Sequence, residues 1–158
     1  MPLRMGGSSI HPAYRVPNHM LKFIVLTDTH FVPPGQPLYG LDPAERLRPA
    51  IEVINREYAD CEFVVICGDL AHKGEQAAYE SLAEVLAPLL PPVVLLVGNH
   101  DQRDACRAVF PDLDRDDHGF VQSMRLFEEA TVITADTLDE RDRARGRQLE
   151  RLGRAPVS

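Results

Sequence analysis

Short apolar runs alternate with longer stretches of helical spacing along this chain. Leu21–Leu26 (LKFIVL), Phe63–Cys67 (FVVIC) and Val93–Val97 (VVLLV) are continuous and rich in β-branched residues. Such runs predict buried strands. Between the first two, Leu47, Ile51, Ile54 and Tyr58 recur at helical spacing over 43–58. Asp42 is placed as N-cap and Pro43 as first helical residue. Between the second and third, Tyr79, Leu82, Val85, Leu86 and Leu89 share one face of a helix over 75–90. A short helix over 102–110 follows. Phe120–Leu126 and Thr131–Thr134 are expected to pair as antiparallel strands. Strand, helix, strand, helix, strand with unbroken apolar strands implies an α/β domain on a parallel sheet. Residues 1–19 hold three prolines and no periodicity, which predicts a flexible extension. Residues 139–158 form an Arg-rich charged tail, so the domain is expected over 20–138.

The 158 residues are 44% apolar and 26% charged, which is globular composition. No apolar run reaches the roughly 18–20 residues of a membrane span. The net charge of −7 argues against binding long nucleic acid. It also requires something locally positive to attract a phosphate-bearing substrate. Three cysteines without a CxxC pair indicate neither a disulfide framework nor a thiolate zinc site. They are expected to be small buried hydrophobes in a reducing cytosol, which suggests a cytoplasmic protein.

Each expected strand ends in a polar cluster: Thr27-Asp28-Thr29-His30, then Gly68-Asp69, then Gly98-Asn99-His100-Asp101. In a parallel sheet the carboxyl ends of the strands share one edge, where ligands bind. Residues far apart in sequence should therefore converge. Carboxylate, imidazole and carboxamide together suit Mn, Fe, Zn or Mg. Asp28-x-His30 sets alternate side chains on one side of an extended segment. Taken singly, each motif has a commonplace reading as a turn or a cap. Three in order, each at a strand end, indicate a site.

These motifs resemble the calcineurin-like metallophosphoesterases, whose pattern is Asp-x-His, Gly-Asp and Gly-Asn-His-(Asp/Glu). The resemblance covers about residues 20–138. It is nearest to class III cyclic nucleotide phosphodiesterases and their glycerophosphodiesterase relatives, through Leu38-Tyr39-Gly40, the Gly68–Glu75 segment with Ala78-Tyr79, and Asp136-Thr137. It implies a layered sandwich in which this chain supplies the N-terminal βαβαβ half. It also implies two divalent cations, with Asp28 and His30 on the first, Asp69 bridging and Asn99 on the second. His100 would be the general acid, or the donor stabilising charge on the phosphoryl oxygens, with Asp101 orienting it. The implied activity is hydrolysis of a small phosphodiester, such as a cyclic nucleotide or glycerophosphodiester, by cation-activated water. Nuclease and phosphomonoesterase activities are alternatives within the same family.

The family pattern continues with a lone His and then Gly-His-x-His. Here the only histidine after His100 is His118, in an acidic loop, where it reads as a solvated residue. The C-terminal half is accordingly expected to be missing. That would leave an apolar face and a strand edge uncovered, favour a homo-oligomer, and make activity weak. The competing reading is a non-catalytic module that binds at most one ion or acts by association. His72 reads as a surface loop residue, His11 and His19 as tail residues, and Tyr39 as either a substrate border or a packed loop aromatic.

Overall fold

A computed structural model describes residues 20–139. The expectations for 1–19 and for most of 139–158 lie outside the described residues. Strands β1 (Phe23–Leu26), β2 (Phe63–Cys67) and β3 (Val93–Leu96) form one parallel sheet in the order β1-β2-β3. Helices α1 (Pro43–Glu57) and α2 (Gln76–Leu86) are the two crossovers, and α3 (Arg103–Val109) follows β3. A separate antiparallel pair, β4 (Ser123–Leu126) and β5 (Thr131–Thr134), closes the described chain. The expected βαβαβ half with parallel strands is what the structure shows.

Helix α1 starts where Asp42 accepts a hydrogen bond from Ala44 N–H at 2.8 Å, with Pro43 at its first position. It runs through the exposed Pro49, which has no N–H for the Glu45 carbonyl. Leu47, Ile51 and Ile54 bury its apolar stripe. Helix α2 stops at Leu86, four residues short of the sequence expectation. Ala87 keeps helical backbone and its N–H still reaches the Ala83 carbonyl, but Pro88 has no N–H for the Glu84 carbonyl, and Leu89 N–H closes a tight turn on the Leu86 carbonyl.

The three helices cover one face of the sheet. Ile66 and Leu95 pack there with Leu47 and Ile51 of α1, with Tyr79, Leu82 and Val85 of α2, and with Cys106 of α3. The opposite face carries Phe63, Val65 and Val94, partly covered by Phe127 and Val132 of the β4–β5 hairpin. Phe63 stacks on Phe23 at 5.0 Å and on Phe127 at 5.9 Å. Strand β1 is less buried than its apolar run predicts. It is an edge strand, and nothing in the described chain covers Val25, which is 56% exposed. Met124, Leu126 and Ile133 are exposed on the hairpin. Cys61 and Cys106 are buried as expected, but Cys67 is exposed because it lies where β2 gives way to the site.

Beyond β3 the chain is held by Asp136, whose side chain has no exposed surface. Arg103 donates to both of its oxygens at 2.8 Å, and Val121 and Leu138 N–H add two further bonds. Burial alone would raise this carboxyl. The Arg103 bonds and the backbone N–H groups outweigh it and hold Asp136 below the ordinary carboxylate range.

Candidate metal centre

The segments after β1 and β2 remain paired. Leu26 faces Ile66 within the sheet, and Phe31 bridges Ala71 at the same forty-residue offset. Asp28, His30 and Phe31 N–H donate to the carbonyls of Gly68, Asp69 and Leu70 at 3.3, 2.8 and 2.8 Å. Between sheet and bridge the backbone turns sharply. Asp28 (φ 54°), His30 (φ 44°) and Asp69 (φ 49°) all adopt left-handed conformations. Non-glycine residues rarely do so, and such strain gathers at functional sites. The turns are anchored by Phe31, Leu70 and Ala71, which are fully buried or nearly so.

The turns bring three expected ligands together. His30 Nε2 lies 3.7 Å from an Asp28 carboxylate oxygen and 3.8 Å from one of Asp69. These separations are too long for hydrogen bonds. They approach the roughly 3.4 Å between ligand atoms that share one tetrahedral ion at bond lengths of about 2.1 Å. His30 Nδ1 is buried and has no hydrogen-bond partner, and the same holds for His72 Nδ1. A donor set of two carboxylates and an imidazole, with orphaned buried nitrogens beside it, fits a divalent transition cation.

The loop after β3 presses against this group. A Cβ on Gly98 would overlap the Asp69 carboxylate, and one on Gly68 would sit 2.9 Å from Gly98 N. Only glycine permits both approaches. His100 N–H donates to Asp69 Oδ1 at 3.0 Å. Asn99 lies between Gly98 and His100 in the chain and is exposed.

The structure departs from expectation at Asp101. Its carboxylate does not orient the His100 ring. It is fully buried and accepts from Leu70 N–H (3.0 Å), Ala71 N–H (2.9 Å), Gly98 N–H (2.8 Å) and Tyr79 O–H (2.9 Å). Asp101 is therefore a clamp between the two loops, and a positioning residue. Burial pushes its carboxyl above the ordinary range, against the pull of these four donors. Burial, and then the Asp101 charge, likewise push the Tyr79 hydroxyl up. The orienting contact on His100 comes instead from the His72 carbonyl, 2.6 Å from Nδ1. A carbonyl only accepts, so Nδ1 carries a proton and Nε2 is the open nitrogen.

His72 is not the surface residue the sequence suggests. Its ring stacks on His100 at 5.3 Å and meets His30 edge-on at 5.4 Å. Burial, then His100 and His30 beside it, hold its pKa below the ordinary histidine value. The signal was the strand offset: residue 72 follows the partner of Phe31 directly. His118 is exposed in its loop, bonded through its N–H to Asp116, as a solvated residue should be. An open cleft of about 390 Å³ adjoins Asp28 and His30, with Tyr39, Leu41, Arg46 and Leu47 among its walls. Tyr39 is 89% exposed and itself left-handed, so it is not packed, and Arg46 brings the positive charge the acidic composition lacks.

Among the described residues, no helix is long and apolar enough to cross a membrane. A protein of Rhodopseudomonas palustris named probable cyclic nucleotide phosphodiesterase is 57% identical over 120 residues, covering 76% of this chain and 44% of that protein. The cAMP/cGMP dual specificity phosphodiesterase of Mycobacterium tuberculosis is 36% identical over 101 residues, covering 61% and 31%. The 3',5'-cyclic adenosine monophosphate phosphodiesterase CpdA of Escherichia coli is 32% identical over 93 residues, covering 58% and 34%. The chain thus spans less than half the length of these relatives. The calcineurin-like phosphoesterase family model matches residues 21–149, and on that match, which takes in all three strand-end motifs, this chain belongs to the calcineurin-like phosphoesterases.

Proposed function

We propose that this chain carries the cation-binding half of a metal-dependent phosphodiesterase acting on a small phosphodiester, with a cyclic nucleotide the leading substrate class. The observation that carries this reading is the convergence of Asp28, His30 and Asp69 with His100 beside them. The names of the similar proteins support the substrate class.

Asp28 and His30 would hold a first divalent cation, Asp69 would bridge it to a second, and Asn99 would contribute its oxygen to the second. Mn, Fe and Zn suit these donors. Such cations supply positive charge at the phosphoryl oxygens and lower the pKa of water. His100 Nδ1–H is fixed by the His72 carbonyl, so Nε2 is the atom free to take up a proton and then deliver it to the leaving oxygen. Arg46 and the exposed Tyr39 ring line the cleft that takes the rest of the substrate. The exposed thiol of Cys67 suits a reducing cytoplasm. The uncovered β1 and hairpin residues favour self-association of the isolated chain.

One observation favours the competing reading, a module that holds a cation without turnover. His118 is exposed and bonded within an acidic loop, so it adds no ligand to the cluster. Hydrolysis of bis(p-nitrophenyl) phosphate and of cyclic AMP with added Mn²⁺ separates the two. Turnover abolished by Asp69→Asn supports the enzyme. Mn²⁺ binding without turnover supports the module.

A further inference from the structure

We propose that His30, His72 and His100 form a second, nitrogen-rich cation position beside the carboxylate one, suited to a borderline ion such as Zn²⁺ or Cu²⁺. A ligand nitrogen from each ring lies within 4.8 Å of the other two. The rings enclose a small space: His30 and His100 meet edge-on at 4.8 Å, and His72 faces both at 5.3–5.4 Å. Two of the three rings hold a buried nitrogen with no hydrogen-bond partner. Buried polar atoms are almost always satisfied, so two orphans on neighbouring rings of one cluster mark a place for something to bind. The third ring is fixed through Nδ1, which leaves its Nε2 open.

The frame is rigid enough to hold such a position. His72 N–H donates to the Phe31 carbonyl at 2.8 Å, and its neighbour Ala71 is completely buried. His100 is tied by its N–H to Asp69. His30 Nε2 faces Asp28 and Asp69, and His30 belongs to both groups of candidate ligands, so it joins the two positions. The two positions differ in hardness. Imidazole favours Zn²⁺, Cu²⁺ and Ni²⁺, whereas the carboxylate side accepts Mn²⁺ or Mg²⁺. The inference shares His30 and His100 with the proposed phosphodiesterase centre, and a cation held on His100 Nε2 excludes proton delivery from that atom, but it does not require hydrolysis.

The test uses the full chain with His11→Gln, His19→Gln and His118→Gln. Of the six histidines only the three clustered ones then remain. One equivalent of Cu²⁺ is added and its imidazole nitrogens are counted by electron spin echo spectroscopy. Zn²⁺ and Mn²⁺ affinities are measured by calorimetry, with circular dichroism confirming the fold. Three nitrogens are expected on Cu²⁺. His72→Ala and His72→Gln should each lose one nitrogen and weaken Zn²⁺ at least about tenfold, leaving Mn²⁺ binding in place. Asp28→Asn should do the reverse, weakening Mn²⁺ while the three nitrogens persist. Fewer than three nitrogens in the parent overturns the proposal. So does unchanged Zn²⁺ affinity in both His72 variants. Loss of Mn²⁺ binding in the parent, with three nitrogens still on Cu²⁺, would sink the phosphodiesterase reading and leave this one standing.

Discussion

Replacing Asp101 by Asn tests whether one buried carboxylate holds the site together. Oδ2 accepts from Leu70 and Gly98 N–H, while Oδ1 accepts from Ala71 N–H and Tyr79 O–H. A carboxamide offers one oxygen, so one pair of donors must face NH₂. The smaller loss puts NH₂ at the Oδ1 position, because the Tyr79 hydroxyl can turn and accept. Ala71 N–H then has no acceptor, which costs about 1–3 kcal/mol. The remaining bonds also lose charge assistance, which roughly doubles a bond's strength. Relief of the buried charge offsets part of this. A net loss of about 2–3 kcal/mol is expected. Asp101→Ala would strand four donors, and at about 1–3 kcal/mol each the loss approaches the whole stability of a small domain, about 5–15 kcal/mol. Tyr79→Phe removes one bond to the carboxylate and the acceptor for Gln102 N–H, for about 2 kcal/mol. The assay is urea unfolding followed by circular dichroism, at constant slope. Weaker Mn²⁺ binding should accompany the Asn variant, since Asp69 and Asn99 sit on the two clamped loops. An Asp101→Asn protein within about 0.5 kcal/mol of the parent, the range of an ordinary surface change, would refute the clamp.

Further outcomes follow from other parts of the structure. Asp69→Ala should abolish binding of a second cation, read as metal stoichiometry by mass spectrometry; an unchanged ratio would remove Asp69 from the bridging role. Gly98→Ala places a methyl on the Asp69 carboxylate and backbone, so Mn²⁺ affinity should fall at least about tenfold even where the fold survives, as judged by calorimetry with circular dichroism. Asp136 is depressed in the folded state, so its contribution is full above its unfolded pKa of about 4 and is lost as pH falls through the lower folded value. Asp136→Asn should flatten stability over that acid window and cost about 1.5–3 kcal/mol at neutral pH, through the loss of charge in the bonds from Arg103. Val25→Lys should reduce self-association in light scattering, because a charge on the exposed edge strand opposes pairing.

Much of the architecture was legible because parallel strands buried by helices must be continuously apolar, and β2 and β3 are. The convergence of Asp28, His30 and Asp69 was legible for a topological reason: parallel strands bring their carboxyl ends to one edge. Local pattern misled where tertiary context decided. LKFIVL looks as buried as FVVIC, but β1 is an edge strand with one face uncovered. Leu89 has the right helical spacing, yet Pro88 had already ended α2. Asp101 was cast by the resemblance as the residue that orients His100. Its four donors come from residues 3 to 31 positions away, and no local motif announces them. His72 was hidden in the same way, because its neighbours arrive from two other loops.

The left-handed backbone at Asp28, His30 and Asp69 bears on how this sequence would drift. Each such residue costs on the order of 1–3 kcal/mol, and glycine would relieve most of it. A library selected for thermal tolerance alone should therefore collect Gly at positions 28, 30 and 69, and lose cation binding as it does. Selected for cation binding alone, the same library should keep Asp, His and Asp there and accumulate its stabilising changes elsewhere. The three positions would thus record which pressure had acted.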